Sequence, residues 1–240
     1  MTDQGRTGLM MDFDGLYRGQ GVRVGNGETF AVIPWRLDGP QPIVTELADT
    51  GQIVGPVLEC GCGLGDNALF LAGRGYEVTA VDAAAAVIDQ DRVKAAACGA
   101  AVDFRVADAT VLEGIGGGFN TILDCAMLHC LTDEQRRVYL AAAHRVSQPG
   151  ARLHILCFPD TVTGNFPMPG HTDEASLRRD LSERWRIERM EIRHYTTGMS
   201  RQEWREQIAA RFDRDADPAD GVDDQGRVLM PIWQITATRV

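Results

Sequence analysis

From residue 56 onward the chain alternates short apolar runs with amphipathic stretches. PVLEC, YEVTAVDA, VDFRVADA, NTILDCAM and RLHILCF have the length and composition of buried strands. Among them lie DNALFLAGRG, AAAVIDQDRVKAAACG and TDEQRRVYLAAAHRV, whose apolar positions recur at helical spacing. Gly99 is placed to close the second of these helices, and Thr132 with Gln135 forms a capping-box pair at the start of the third. Strands and helices alternating at these lengths predict an α/β fold, a doubly wound parallel sheet with helices on both faces. No segment repeats at a fixed period.

The flanks read differently. Upstream, FDGLYRGQG and FAVIPWRLDGPQPIV are broken by Pro34, Pro40 and Pro42, and PIVTELADTG predicts a short helix closed by Gly51. Residues 1–50 are therefore expected to form a lid or cover and residues 51–240 the main domain. Downstream, TVTGNFPMPGH is a Pro- and Gly-rich loop, DEASLRRDLSER a helix and WRIERMEIRHY a strand. SRQEWREQIAARF follows as a helix boxed by Ser200 and Glu203, then the acidic loop DRDADPADGVDDQG, and LMPIWQITATR as a final strand. The excursion over 159–227 is placed to cover the carboxyl ends of the strands, where such sheets bind ligands.

Charge narrows the function. The net charge is −10 and no Lys/Arg run exceeds a dipeptide, which argues against nucleic acid or an acidic membrane surface as partner. The apolar run ILDCAMLHCL is interrupted by Asp124 and has half the length of a membrane span. The six cysteines mostly fall in apolar segments, as free thiols do in a reducing compartment, so a cytoplasmic location is expected. Cys60-x-Cys62 has no second CxxC or His pair to complete a zinc site, and no metal is expected.

The candidate chemistry starts at VLECGCGLGDN, residues 57–67. Gly61, Gly63 and Gly65 allow positive φ and close approach of a ligand, though a tight strand-to-helix turn alone would also use them. Asp82 stands twenty-one residues past Gly61 at the end of the second strand, where an acid can accept from two ribose hydroxyls. Asp108 ends the third strand, where a carboxylate can bond an adenine amine while Ala109 leaves room for the ring. The dinucleotide fingerprint would need a glycine where Asp66 stands, and that acid would repel a pyrophosphate. Glu59 and Asp66 suit instead a ligand carrying an ammonium and a sulfonium, which favours S-adenosyl-L-methionine over NAD.

GCGLGDNALFLA, TAVDA, VADAT and the late strand resemble class I S-adenosylmethionine-dependent methyltransferases. FDGLYRG, IPWRLDGPQPIV, DCAMLHCLTDEQRRVYLAA and RVSQPGARLHILCF narrow the resemblance to the mycobacterial heterocyclic toxin methyltransferases, relatives of the thiopurine and thiol methyltransferases. The likeness is good over 13–158 and weak over 160–227. Glu59 stands where the wider family commonly has Asp. The resemblance implies a Rossmann-like, seven-stranded sheet, mostly parallel with one antiparallel late strand. It also implies methyl transfer to the hydroxyl or ring nitrogen of a small flat heteroaromatic or phenolic compound, such as a 1-hydroxyquinolin-4-one. On the matching positions, Gly61, Cys62 and Gly63 would lie against the methionine portion, Asp82 and Ala83 at the ribose, Asp108 and Ala109 at the adenine, and Cys125 beside the sulfonium.

For several residues two readings stand side by side. Trp35 could close over the cofactor through its aromatic face or pin the N-terminal segment to the core. Tyr17 and Arg18 could belong to a lid or to a loose tail. His129 lies five residues past Asp124, near the expected acceptor, as a general base or as a structural histidine at a strand–helix turn. Phe158, Phe166 and His171, with Met168, Tyr195 and Trp233, could line an aromatic substrate pocket or serve as ordinary core. A thiol or halide acceptor, an NAD-linked oxidoreductase and a non-catalytic nucleoside-binding protein are the rival functions. The sequence is compatible with a monomer or a homodimer.

Overall fold

The computed structural model describes residues 12–23, 29–30, 33–160, 172–207 and 221–240. Helix α1 (Phe13–Tyr17) and the strand pair β1 (Val22–Arg23) and β2 (Thr29–Phe30) precede helix α2 (Pro42–Asp49). The regular part then runs β3 (Val57–Cys60), α3 (Asp66–Gly73), β4 (Val78–Asp82), α4 (Ala85–Cys98), β5 (Val102–Val106), β6 (Phe119–Cys125) and α5 (Asp133–Val146). It ends with β7 (Ser147–Cys157), α6 (Glu174–Leu181), β8 (Trp185–Ser200), α7 (Arg201–Gln207) and β9 (Arg227–Arg239).

Seven strands form one sheet in the order β5-β4-β3-β6-β7-β9-β8. The pairs β3–β4, β3–β6, β4–β5 and β6–β7 are parallel, and β9 runs antiparallel to both β7 and β8. The expected sheet is therefore present, with its one reversed strand inserted second from the edge. Alternation along β3 sends Val57 to one face and Leu58 and Cys60 to the other, and each face carries its own apolar core. Helices α2, α3 and α4 cover the first face, and α5 and α6 the second. Fully burying a side chain such as Leu58 or Leu153 stabilises by about 1.5–3 kcal/mol.

The local signals hold where they were read. Thr132 and Gln135 make both bonds of a capping box, Gly99 ends α4 in the left-handed conformation, and Ser200 with Glu203 starts α7 reciprocally. Strand β8 is longer than WRIERMEIRHY. It continues to Ser200, with its register against β9 broken between Thr196 and Ser200.

Chain order turns back at β3. The chain moves outward through β4 and β5, then returns on the other side with β6. The crevice above β3 and β6 is thus the topological switch point, where sheets of this type hold ligands.

Candidate functional site

The glycine turn lies at that switch point. Gly61, Gly63 and Gly65 all have positive φ, at 68°, 52° and 68°. A Cβ on Gly61 would stand 2.5 Å from the Met127 side chain on the loop after β6, and one on Gly65 would stand 2.9 Å from Asp91 and Phe104. A side chain at either position would be strained by the positive φ and would force its neighbours to shift. The turn is closed by Cys62 N–H donating to Val81 and Gly65 N–H donating to Cys62. Cys62 contributes backbone only: its thiol sits in the core, 3.9 Å from Asp91 Oδ2.

Glu59 is the next-to-last residue of β3, just beneath the turn, and is 1% exposed. Its Oε1 accepts from Asn67 Nδ2 at 2.9 Å, while Oε2 finds no hydrogen-bond partner among the described residues. Burial, with the nearby carboxylates of Asp91 and Asp66, pushes its pKa up to about 8, although the Asn67 bond opposes this. A buried carboxyl with one oxygen unbonded under a glycine turn leaves an acceptor for a ligand's hydrogen-bond donor. The ammonium of S-adenosyl-L-methionine fits that need, so the residues present fit the cofactor read from the sequence. Asp66 has already found a cation, the ammonium of Lys94 on α4.

Asp82 ends β4 with Oδ2 accepting from Gly63 N–H at 3.0 Å and Oδ1 from Ala84 N–H at 2.9 Å. It therefore braces the turn as well as facing the crevice edge, and burial raises its pKa. Exposed Ala83 lies between these two anchors. Asp108 is exposed, and its Oδ1 accepts from the Thr110 N–H and hydroxyl at 2.8 and 2.7 Å. Ala109 packs beside the second core.

The N-terminal segment closes over the turn. Asp14 Oδ1 accepts from Ala86 N–H at the start of α4, and Gln90 Nε2 donates to the Tyr17 carbonyl, so α1 is docked on α4. Tyr17 Oη lies 3.0 Å from where a Gly63 Cβ would be and accepts from Trp35 Nε1 at 3.1 Å. Burial raises the Tyr17 pKa, with the Asp82 charge adding to it, so the phenol stays neutral. Tyr17 and Trp35 are thus ordered and packed on the glycine turn, with Trp35 also resting against the first core. Trp35 also meets Phe13, with ring centroids 6.0 Å apart.

On the β6 side of the crevice, Cys125 ends β6, half-buried near Glu59 and Asn67, and burial drives its thiol pKa up. The next residue, Ala126, holds a positive φ of 74° without being glycine, and its N–H donates to Leu156. Strain of this kind collects at functional sites. Asp124 Oδ1 fixes the loop by accepting from the N–H groups of Met127 and Leu128. His129 follows, 5% exposed, with Nδ1 accepting from Phe158 N–H at 3.4 Å. Burial lowers its pKa to about 4, so the ring is neutral at physiological pH.

Phe158 joins this face, its ring 4.9 Å from His129 and 5.3 Å edge-on from Tyr195 of β8. Trp233 is turned away to donate to the Thr172 carbonyl, and the Thr172 hydroxyl in turn donates to the Phe158 carbonyl. Phe166, Met168 and His171 lie outside the described residues.

Sequence reasoning missed three contributors. Asn67 links Glu59 to Gln41, whose N–H donates to Asn67 Oδ1 at 2.9 Å. Gln41, 4% exposed, is locked to β8 through the Thr196 carbonyl. Asp91 sits under Gly65, its pKa pushed up to about 8 by burial. An uncapped polar residue just before Pro42, and a carboxylate on the buried side of α4, were the available signals.

Comparison with known proteins agrees with this geometry. Residues 57–150 match the model of a family described as a methyltransferase domain. The chain is 31% identical over 234 residues to a 2-heptyl-1-hydroxyquinolin-4(1H)-one methyltransferase from Mycobacteroides abscessus, covering 95% of this chain and 96% of that one. A solved structure from work on the conversion of a disulfide bond into a thioacetal group during echinomycin biosynthesis aligns with a TM-score of 0.74 at 28% identity, over 95% of this chain and 90% of the other. The magnesium protoporphyrin IX methyltransferase of Synechocystis with bound S-adenosylhomocysteine shares the fold alone, at 18% identity, TM-score 0.56, and 82% and 80% coverage.

Proposed function

The chain belongs to the S-adenosylmethionine-dependent methyltransferases, and on that premise we propose that it methylates the hydroxyl of a small flat heteroaromatic, with 1-hydroxyquinolin-4-ones as the first class to test. When bound, S-adenosyl-L-methionine would supply an electrophilic methyl group on a cationic sulfur: the acceptor oxygen would form the new bond to that methyl as the carbon–sulfur bond breaks and S-adenosylhomocysteine leaves.

The observation that carries the acceptor class is the aromatic face of Phe158, Tyr195 and His129 at the end of β7 and beside β8. A flat ring brought to this face could make further edge or offset contacts with these rings. The activity printed for the Mycobacteroides relative supports the same class. Glu59, Asn67 and the glycine turn would hold the methionine end, Asp82 the ribose and Asp108 the adenine edge. Tyr17 and Trp35 cover the site from above and exclude water.

Positioning and water exclusion supply most of the acceleration in this reading. An N-hydroxyl or phenol is acidic enough to arrive partly ionised, so no strong base is needed. A neutral His129 whose Nδ1 already accepts a bond keeps its other ring nitrogen as a donor, suited to hold an acceptor oxygen. In this reading His129 tunes the rate without being indispensable. No described helix is long and apolar enough to cross a membrane, and a small-molecule acceptor met in the cytoplasm accords with the acidic surface.

A sulfur acceptor is the second reading, favoured by the neighbour tied to disulfide-to-thioacetal conversion. Methyl-labelled cofactor offered with hydroxyquinolones, phenols, thiols and iodide separates the two. Label on a hydroxyquinolone oxygen supports the first; label on thiols alone replaces it with the second.

A further inference from the structure

Gly198 lies in the break of register between Thr196 and Ser200 on β8, far in sequence from every motif of the cofactor site. Its N–H donates to the Pro34 carbonyl at 2.7 Å. A Cβ there would stand 1.7 Å from the Arg36 carbonyl oxygen and 2.7 Å from its carbon, whereas real Cβ contacts essentially never fall under 3.0 Å. The obstacle is backbone, so no rotamer change relieves it. The Pro34–Arg36 turn can seat on β8 only because residue 198 is glycine.

A second fastening lies next to it. Gln41 Nε2 donates to the Thr196 carbonyl at 2.9 Å, and Thr196 N–H donates back to Gln41 Oε1 at 3.4 Å. Both ends of the stretch 34–41 are thereby held on β8 within three residues. Trp35 stands inside that stretch and donates to Tyr17 Oη, which lies over Gly63. The height of the cover above the glycine turn is thus set from β8, the strand that also presents Tyr195 to Phe158 on the acceptor side.

We propose that Gly198 is a positioning residue for methyl transfer: the side-chain-free break in β8 is the socket that seats the Pro34–Arg36 turn and holds Trp35 and Tyr17 closed over the bound cofactor. This rests on the assignment of the crevice to S-adenosyl-L-methionine, and it is independent of the acceptor's identity. It makes the substrate-side strand part of the cofactor site, a role for which the glycine turn itself carries no sign.

Calorimetric titration of the full chain with S-adenosylhomocysteine tests it without any acceptor. Gly198→Ala is expected to raise Kd about tenfold. In a Trp35→Ala background the same substitution should change Kd less than twofold, because the cover it positions has already been lost. Unchanged Kd in Gly198→Ala, or an equal loss in both backgrounds, would overturn the proposal. Should Gly198→Ala not fold, Gln41→Ala releases the neighbouring fastening without adding an atom to β8. Its expected loss is about threefold, again only when Trp35 is present. An equal loss with and without Trp35 rejects the socket. A protein that binds S-adenosylhomocysteine as expected but methylates no hydroxyquinolone leaves the socket standing and removes only the acceptor assignment.

Discussion

The two halves of the crevice are built on different scales of the chain. On the cofactor side, Glu59 meets Asn67 eight residues away and Gly63 meets Asp82 nineteen away, through bonds across one strand–turn–helix unit and its neighbour. On the acceptor and cover side, Gln41 meets Thr196 across 155 residues, and Phe158 meets His129 across 29. The cofactor half is acidic: four carboxyl groups surround one glycine turn, and burial raises the pKa of each of them. The other half is aromatic, with Tyr17 and Tyr195 buried and His129 held neutral by burial.

Substitutions that act on one half and spare the other sharpen this contrast. The largest effect is expected at Asp82, which braces Gly63 and is the proposed ribose partner. Asp82→Ala should weaken cofactor binding at least tenfold, about 1.4 kcal/mol, in a calorimetric titration. Unchanged affinity would remove it from the cofactor half. Phe158→Ala should raise the acceptor KM by about three- to tenfold through lost ring contact, while the Kd for S-adenosylhomocysteine stays put. A parallel loss of cofactor affinity would mean that the halves are not separable at Phe158.

Glu59 tests the acidic half through pH. Its pKa is raised from 4.5 unfolded to about 8 folded, so the native state binds the proton more tightly across that interval. Stability of the cofactor-free protein should therefore fall as pH rises from 4.5 through 8, with Asp91 contributing in the same direction. Glu59→Gln should flatten part of that slope, leaving the melting temperature near pH 5 little changed and raising it at pH 8. The same variant should bind the cofactor less tightly. A variant as pH-sensitive as the parent would show that Glu59 is not the buried titrating acid. The smallest effect is expected at His129: His129→Ala should keep full cofactor affinity and lower kcat by less than tenfold. A loss of a hundredfold or more would make it a required base or donor.

The contrast in scale also explains what could be read in advance. Asp82, Glu59 and the glycines stand at fixed offsets from strand ends, so their convergence follows from the strand–helix pattern without knowing the sheet order. Gly198 and Gln41 have no such offset. An isolated glycine inside a strand signals a bulge or a close backbone approach, but nothing in the chain says that the approaching backbone is Pro34–Arg36. Asp66 shows the same division within one residue. Its position beside the turn was legible, while its pairing with Lys94 depended on how α3 packs against α4.

By itself, the sequence determined the alternation of strands and helices, the helix caps at Gly99 and Thr132, and the glycine turn with its acids. Each of these is settled by neighbours within a few residues, where backbone sterics and side-chain periodicity act directly. Only the tertiary structure decided that Tyr17 and Trp35 lie closed over Gly63, and that β8 reaches back to hold them. It also decided that His129 and Glu59 are buried deeply enough to change their protonation. Those outcomes depend on which surfaces the sheet order brings together and how completely water is excluded between them, and no local spacing encodes either.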